Sequence, residues 1–194
     1  MSRDAGDWIE TFSGVKFWPL SADPADVRLR DIAHALSLQC RFAGHTRSFV
    51  SVGEHCLNCY RLAKELNYTN RERLFALLHD AAEAYIGDLP RPIKLSVDNF
   101  KDVEHKLELV IWEAFGIEPP TKYEWATVKY IDNVILGIEG QKYMNNVDGW
   151  IDELPVCPIE FEYVEYGWQY ADIEFEYWAD KLLEIAKGDG CVNA

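Results

Sequence analysis

Leu77-Leu78-His79-Asp80-Ala81-Ala82-Glu83-Ala84-Tyr85-Ile86-Gly87-Asp88-Leu89-Pro90 sets an imidazole, an adjacent carboxylate and further carboxylates directly after an apolar run. Leu74, Leu77, Leu78 and Ala81 recur at helical spacing, and Thr69 or Asn70 can cap the start, with Glu72 in the first turn. His79 and Glu83 are four residues apart, and Asp80 and Glu83 three apart, which predicts neighbouring positions on one helical face. Gly87 to Pro92 is a turn-rich break. Charge this close to a buried stripe is costly to desolvate, so the segment points to a cation or a reaction. The bland alternative is a histidine favoured by a helix C-terminus, with acids facing water.

Upstream, Ser48 or Ser51 can cap a helix on which Val52, Cys56, Cys59, Ala63 and Leu66 form the apolar side. His55 lies beside that stripe. Before it, Pro24 and Asp26 introduce a helix with Val27, Ile32, Ala35, Leu36 and Leu38, ending near Arg41 to Gly44. Trp8 to Pro19 alternates around Ser13-Gly14 and predicts a small β-hairpin. Downstream, Val103, Leu107, Val110, Ile111 and Ala114 line a helix over Val97 to Phe115, stopped by Gly116. Beyond Pro119-Pro120, a helix from about Glu124 to Met144 buries Val128, Ile131, Ile135 and Ile138, with Asp132 beside them. Asn145 to Tyr170 is acidic and aromatic and reads as a long loop or lid. A last helix near Ala171 to Lys187 offers Ile173, Tyr177, Leu182 and Ile185. The expected fold is an all-α bundle with an N-terminal β-hairpin. It forms one domain over residues 1–194, with a core at about 26–144 and a C-terminal loop and helix at 145–194.

Lys plus Arg number 19 against 33 Asp plus Glu, a net charge of −14. So acidic a surface repels nucleic-acid backbones and anionic membranes, and an anionic partner must be small and held by a few local cations. Cys40, Cys56, Cys59, Cys157 and Cys191 are odd in number and scattered, which argues against a disulfide framework. With no basic-then-apolar leader and no stretch of membrane-spanning length, a reducing cytoplasm is the expected compartment.

If the helices pack as a bundle, His55, His79, Asp80 and Asp132 can converge. Two imidazoles and two carboxylates suit a borderline-hard divalent cation (Mn, Co, Zn, Fe or Ni) with positions left open to water. His45 is a rival first ligand, although a loop fixes its geometry less well. Cys56 and Cys59 lack a second cysteine pair and fall on the apolar stripe, so buried thiols are the simpler reading.

The ordered set His55…His79-Asp80…Asp132 resembles the ligand pattern of HD-domain phosphohydrolases. Val52-Gly53-Glu54-His55, His79-Asp80-Ala81-Ala82-Glu83, Gly87-Asp88-Leu89-Pro90-Arg91-Pro92-Ile93-Lys94 and Val128-Lys129-Tyr130-Ile131-Asp132 extend the likeness. They are similar to the bacterial 5′-deoxynucleotidases and the phage HD-domain deoxyadenosine-triphosphate hydrolases, over roughly Asp31 to Glu139. The resemblance implies an HD-type helical bundle and metal ligation by His55, His79, Asp80 and Asp132. It also implies acid/base or water-positioning roles for Glu83 and Asp88, and substrate phosphate held by Arg41, Lys94 and Lys129. Phe42 departs from the Trp that relatives carry after the Arg, which puts base preference in doubt but not hydrolysis; plain core packing accounts for it equally well.

The implied activity is metal-dependent cleavage at the α-phosphorus of a deoxynucleoside mono- or triphosphate, in a homo-oligomer. The alternative from another class is a metal-stabilised nucleotide sensor or scaffold without turnover. A pure binder needs neither Glu83 nor Asp88.

Overall fold

Side-chain caps decide where several helices begin. Ser51 Oγ accepts from the Glu54 amide at 3.1 Å and opens α2, Val52–Glu65. Thr69 and Glu72 form a reciprocal capping box at the start of α3, Asn70–Leu78. Thr121 and Glu124 repeat it at α7, Lys122–Tyr143. The computed structural model describes residues 7–190, with side chains through 188; Cys191 lies outside the described residues.

In chain order, the other elements begin with the antiparallel pair β1, Ile9–Glu10, and β2, Lys16–Phe17, joined through Gly14 at φ +81°. α1 is Leu29–Leu38, α4 is Glu83–Ile86, α5 is Arg91–Lys94, α6 is Phe100–Phe115 and α8 is Trp168–Gly190. The expected all-α bundle with a small hairpin is what forms. α3 is central, packed by α2, α7 and α8, while α1 lies against α2 and α8. The main core joins Phe17, Ile32, Leu36, Leu57, Leu74, Leu77 and Leu78 to Phe175 and Leu183, so β2 and α8 contribute to it alongside the 26–144 segment. Among the described residues, no helix is long and apolar enough to cross a membrane.

Four sequence expectations need correction. The helix carrying His79 does not run on to Glu83: α3 ends at Leu78, and residues 79–82 form tight turns before α4. The amides of Ala81, Glu83 and Tyr85 bond three residues back, to Leu78, Asp80 and Ala82, so the chain winds more tightly than an α-helix. The first helix ends at Leu38, and Arg41–Gly44 is a separate 3₁₀ turn with Phe42 and Ala43 at φ +53° and +52°. The irregular segment ends at Gly167, three residues earlier than expected. On α8, Ile173, Tyr177 and Ile185 face solvent; the buried face is Ala171, Phe175, Ala179, Leu182 and Leu183. Apolar residues occupy both sides of α8, and the face with two alanines is the one that approaches α1, α2 and α3.

Gly53 sets how closely α1 meets α2 behind His55. A Cβ there would stand 2.9 Å from Ser37 Oγ, 3.1 Å from its N and 3.2 Å from its Cα. Alanine gains about 1 kcal/mol in helix propensity, but overpacking against backbone costs about 1–3 kcal/mol. Gly53→Ala is therefore expected to lower the denaturant midpoint, and an unchanged or raised midpoint would contradict the close packing.

Candidate metal centre

His55 comes from the second turn of α2, and its ring is wholly buried. Its Nδ1 lies 3.0 Å from Glu139 Oε1. The same oxygen accepts from the Tyr163 hydroxyl at 3.0 Å, and Glu139 Oε2 accepts from Arg41 Nη2 at 3.0 Å. A carboxylate so occupied accepts the Nδ1 hydrogen, so Nε2 is the nitrogen turned toward the cluster. His79 is oriented by a different device. The tight turn brings its Nδ1 to 3.0 Å from the Ala76 carbonyl, which can only accept, so Nε2 is again the free nitrogen. That Nε2 is buried without a hydrogen-bond partner.

Two carboxylates meet these nitrogens. Asp132 Oδ1 is 3.2 Å from His55 Nε2 and 3.8 Å from His79 Nε2. Asp80 Oδ2 is 3.2 Å from His79 Nε2 and 3.9 Å from His55 Nε2. Bonds of about 2.0–2.1 Å to one cation place neighbouring donors about 2.9–3.4 Å apart, so modest contraction of this set would enclose a cation. The histidines are sealed, but the Asp80 and Asp132 side chains are 17% and 18% exposed, so the cluster opens to solvent on its carboxylate side.

Electrostatics agree with a cation-binding set. Burial raises the Asp132 carboxyl, yet the His55 and His79 imidazoles beside it hold it well below the ordinary range. Burial likewise opposes ionisation of Asp80, and His79 and His55 outweigh it. Burial lowers both imidazoles, and Arg41 lowers His55 further, but Cys59, Glu139 and Asp132 at His55 and Asp80 at His79 raise them well above the usual histidine value. Protons and a cation thus compete for the same two nitrogens.

Sulfur is also present. Among the described residues, His55, Cys59 and His79 bring ligand atoms within 4.8 Å of one another, as do Cys56, His79 and Asp80. The four described cysteines are all free thiols, and burial pushes the Cys56 thiol up to about 11. A buried His/Cys/Asp group able to hold a metal ion is therefore a feature of this fold.

The other sequence-predicted residues gather around the cluster. Arg41 Nη1 is 3.8 Å from Asp80 Oδ2, but its Nη2 is committed to Glu139. Lys129 Nζ is 3.1 Å from Asp132 Oδ2 and half exposed. Glu83 is buried, with Oε2 lacking a partner; burial first, then Asp80 and Asp88, push its carboxyl well above the ordinary value. Asp88 is raised as well, chiefly by burial. Gln39 ties the two backbones together, donating to the Glu83 carbonyl and accepting from the Asp88 amide. Lys94 Nζ is 3.9 Å from Glu83 Oε1 and pairs with Glu104. Phe42 lies under the Arg41 guanidinium at 5.5 Å and 6.4 Å from the Trp150 ring. His45 is exposed, His34 pairs with Asp172, and His105 pairs with Glu108 on the surface. Two shallow concavities of ≈500 and ≈380 Å³ lie elsewhere, the first beside Tyr60 and Trp178, the second beside Phe12 and His34.

Glu139 was not singled out in the sequence. It stands seven residues after Asp132, two turns along the same side of α7, and that spacing was the available signal. Tyr163 was not legible: it arrives on the 145–167 segment, which Asn58 anchors by accepting from the Val164 amide and donating to its carbonyl. The segment straps the back of the centre. Glu139→Gln keeps the shape but weakens the hold on His55 and Arg41. It is expected to reduce divalent-metal affinity about 10–100-fold, measured by chelator competition; an unchanged affinity would remove Glu139 from the centre.

No family model matches the chain. It is 39% identical over 133 residues to YfdR, an uncharacterized protein of Escherichia coli (strain K12), spanning 68% of this chain and 70% of that protein. It is 33% identical over 115 residues to the uncharacterized protein RCAP_rcc00048 of Rhodobacter capsulatus, spanning 57% of this chain and 59% of the other.

Proposed function

The chain belongs to the family of Escherichia coli YfdR, and from its buried ligand cluster we propose that it is a metal-dependent phosphohydrolase of the HD-domain type. The observation that carries this reading is the convergence of the two Nε2 atoms, of His55 and His79, with Asp80 and Asp132 at a partly open edge. His55, His79, Asp80 and Asp132 would hold a divalent cation. When bound, it would lower the pKa of a water and neutralise charge on a phosphoryl oxygen.

The surrounding residues supply the rest. Lys129 sits at the exposed rim, where its ammonium can meet a substrate oxygen. Arg41 holds positive charge behind Asp80, and Lys94 holds it beside Glu83. Glu83, raised by burial, keeps a proton available for a leaving oxygen. To Asp88, whose backbone amide Gln39 holds, we assign the orienting of the attacking water. Phe42 and Trp150 offer apolar surface next to Arg41 that suits a sugar or base. With a net charge of −14, such local cations favour a small anion over a polymer.

The proposed substrate is a deoxynucleoside 5′-phosphate, cleaved at the α-phosphorus. A monophosphate would release orthophosphate and a triphosphate tripolyphosphate. A buried Glu83 with an unpartnered oxygen favours turnover over a binding-only sensor, since a sensor gains nothing from that burial. Purified protein supplied with manganese or cobalt is expected to release phosphate or polyphosphate from at least one deoxynucleotide, read by a colorimetric assay and chromatography. No release across mono- and triphosphates of all bases would overturn the reading.

A further inference from the structure

We propose that Cys59 is a metal ligand of this centre, so that the site takes a thiophilic divalent cation such as zinc, cobalt or ferrous iron in preference to magnesium or manganese. Cys59 lies one helical turn after His55 on α2, and its Sγ is 3.5 Å from His55 Nε2, the ring nitrogen that faces the cluster. Bonds of about 2.3 Å to sulfur and 2.0–2.1 Å to nitrogen put those donors about 3.1–3.5 Å apart for angles between a right angle and a tetrahedral one, the span open to a site of five donors. The sulfur already stands at that separation. It also belongs to a group with both imidazoles whose ligand atoms lie within 4.8 Å.

A second observation points into the same space. His79 Nε2 is buried and has no hydrogen-bond partner. Cys59 is 1% exposed, which shields a thiol from oxidants and adventitious reagents but not from a cation already seated on the histidines. Sulfur is a soft donor, poorly matched to magnesium or manganese and well matched to zinc, cobalt and iron. On binding, the Sγ–H bond is exchanged for an Sγ–cation bond, and one proton leaves to solvent. Cys56 serves as the internal comparison. It shares His79 and Asp80 but not His55, and it packs in the main hydrophobic core.

This inference rests on the metal centre and not on turnover, so the two can fail separately. Cobalt(II) is loaded into the full chain and into Cys59→Ser and Cys56→Ser variants, and spectra are recorded with a metal count. The wild type and Cys56→Ser are expected to show a sulfur-to-cobalt charge-transfer band in the near ultraviolet, absent from Cys59→Ser. The Cys59 variant should bind zinc at least about tenfold more weakly, given what even outer partners of metal ligands contribute, with manganese affinity unchanged. One equivalent of cobalt bound without the band, or a band lost only with Cys56, overturns the role of Cys59. Failure to bind cobalt at all overturns the metal centre itself. A band without phosphate release leaves Cys59 as a ligand and overturns only the proposed hydrolysis.

Discussion

Asp80→Ala is expected to lose the bound cation and at least about 10³-fold in phosphate release. Asp80 Oδ2 reaches both metal-facing nitrogens, at 3.2 and 3.9 Å, and is the carboxylate that Arg41 faces at 3.8 Å. Removing it leaves Asp132 as the only carboxylate among the proposed ligands. A cation's stabilisation of charge on a reacting phosphoryl group is worth several kcal/mol, and about 4 kcal/mol corresponds to three decades in rate. The fold should survive, because Asp80 is partly exposed and sits in a turn outside the core contacts of α3. Metal content by elemental analysis, with circular dichroism as the folding control, checks the outcome. A folded Asp80→Ala protein that keeps a full equivalent of metal would remove Asp80 from the ligand set. If it lost the metal but not activity, the cation would have no part in the chemistry.

The centre was more legible than the details of the chain that carries it. The apolar stripes of α2, α3 and α7 are strongly periodic, so His55 and Asp132 could be assigned to inner helical edges before any fold was known. Local chemistry also set the Thr69–Glu72 cap and the turn at Gly14. What escaped depended on tertiary contact. The break after Leu78 has no glycine or proline to announce it: residues 79–82 are His, Asp, Ala and Ala. The tight turn is held where His79 bonds back to Ala76 and Gln39 reaches across from the end of α1 to the Glu83 carbonyl. The buried face of α8 was misassigned because Ile173, Tyr177 and Ile185 are as apolar as Phe175 and Leu183, and only the approach of α1, α2 and α3 chooses between them. Positive φ at Phe42 and Ala43 could not be read from residues that rarely adopt it. That conformation turns the chain immediately after Arg41, whose guanidinium is anchored by Glu139.

Glu83→Gln should separate the cation from the catalysis. Glu83 is not among the proposed ligands, and its nearest cation in the structure is Lys94, at 3.9 Å. Gln preserves size and hydrogen bonding but cannot deliver a proton, so metal content is expected to stay at the wild-type level while kcat falls about 10²–10⁴-fold, the usual span for losing a general acid or base. The direction of the Glu83 shift adds a pH signature. Burial, then repulsion from Asp80 and Asp88, raise its carboxyl well above the ordinary value, so the proton is present at low pH and is lost as pH climbs through that raised value. The wild-type rate should therefore fall on the alkaline side with the titration of Glu83, and the residual rate of Glu83→Gln should lack that limb. Glu83→Asp keeps the titrating group but withdraws it by one methylene; it should restore the limb without restoring the full rate. If Glu83→Gln loses the metal together with activity, Glu83 is a ligand and the proton-transfer role fails. If it keeps both, the carboxyl is buried for packing alone, and the donor must be sought at Asp88.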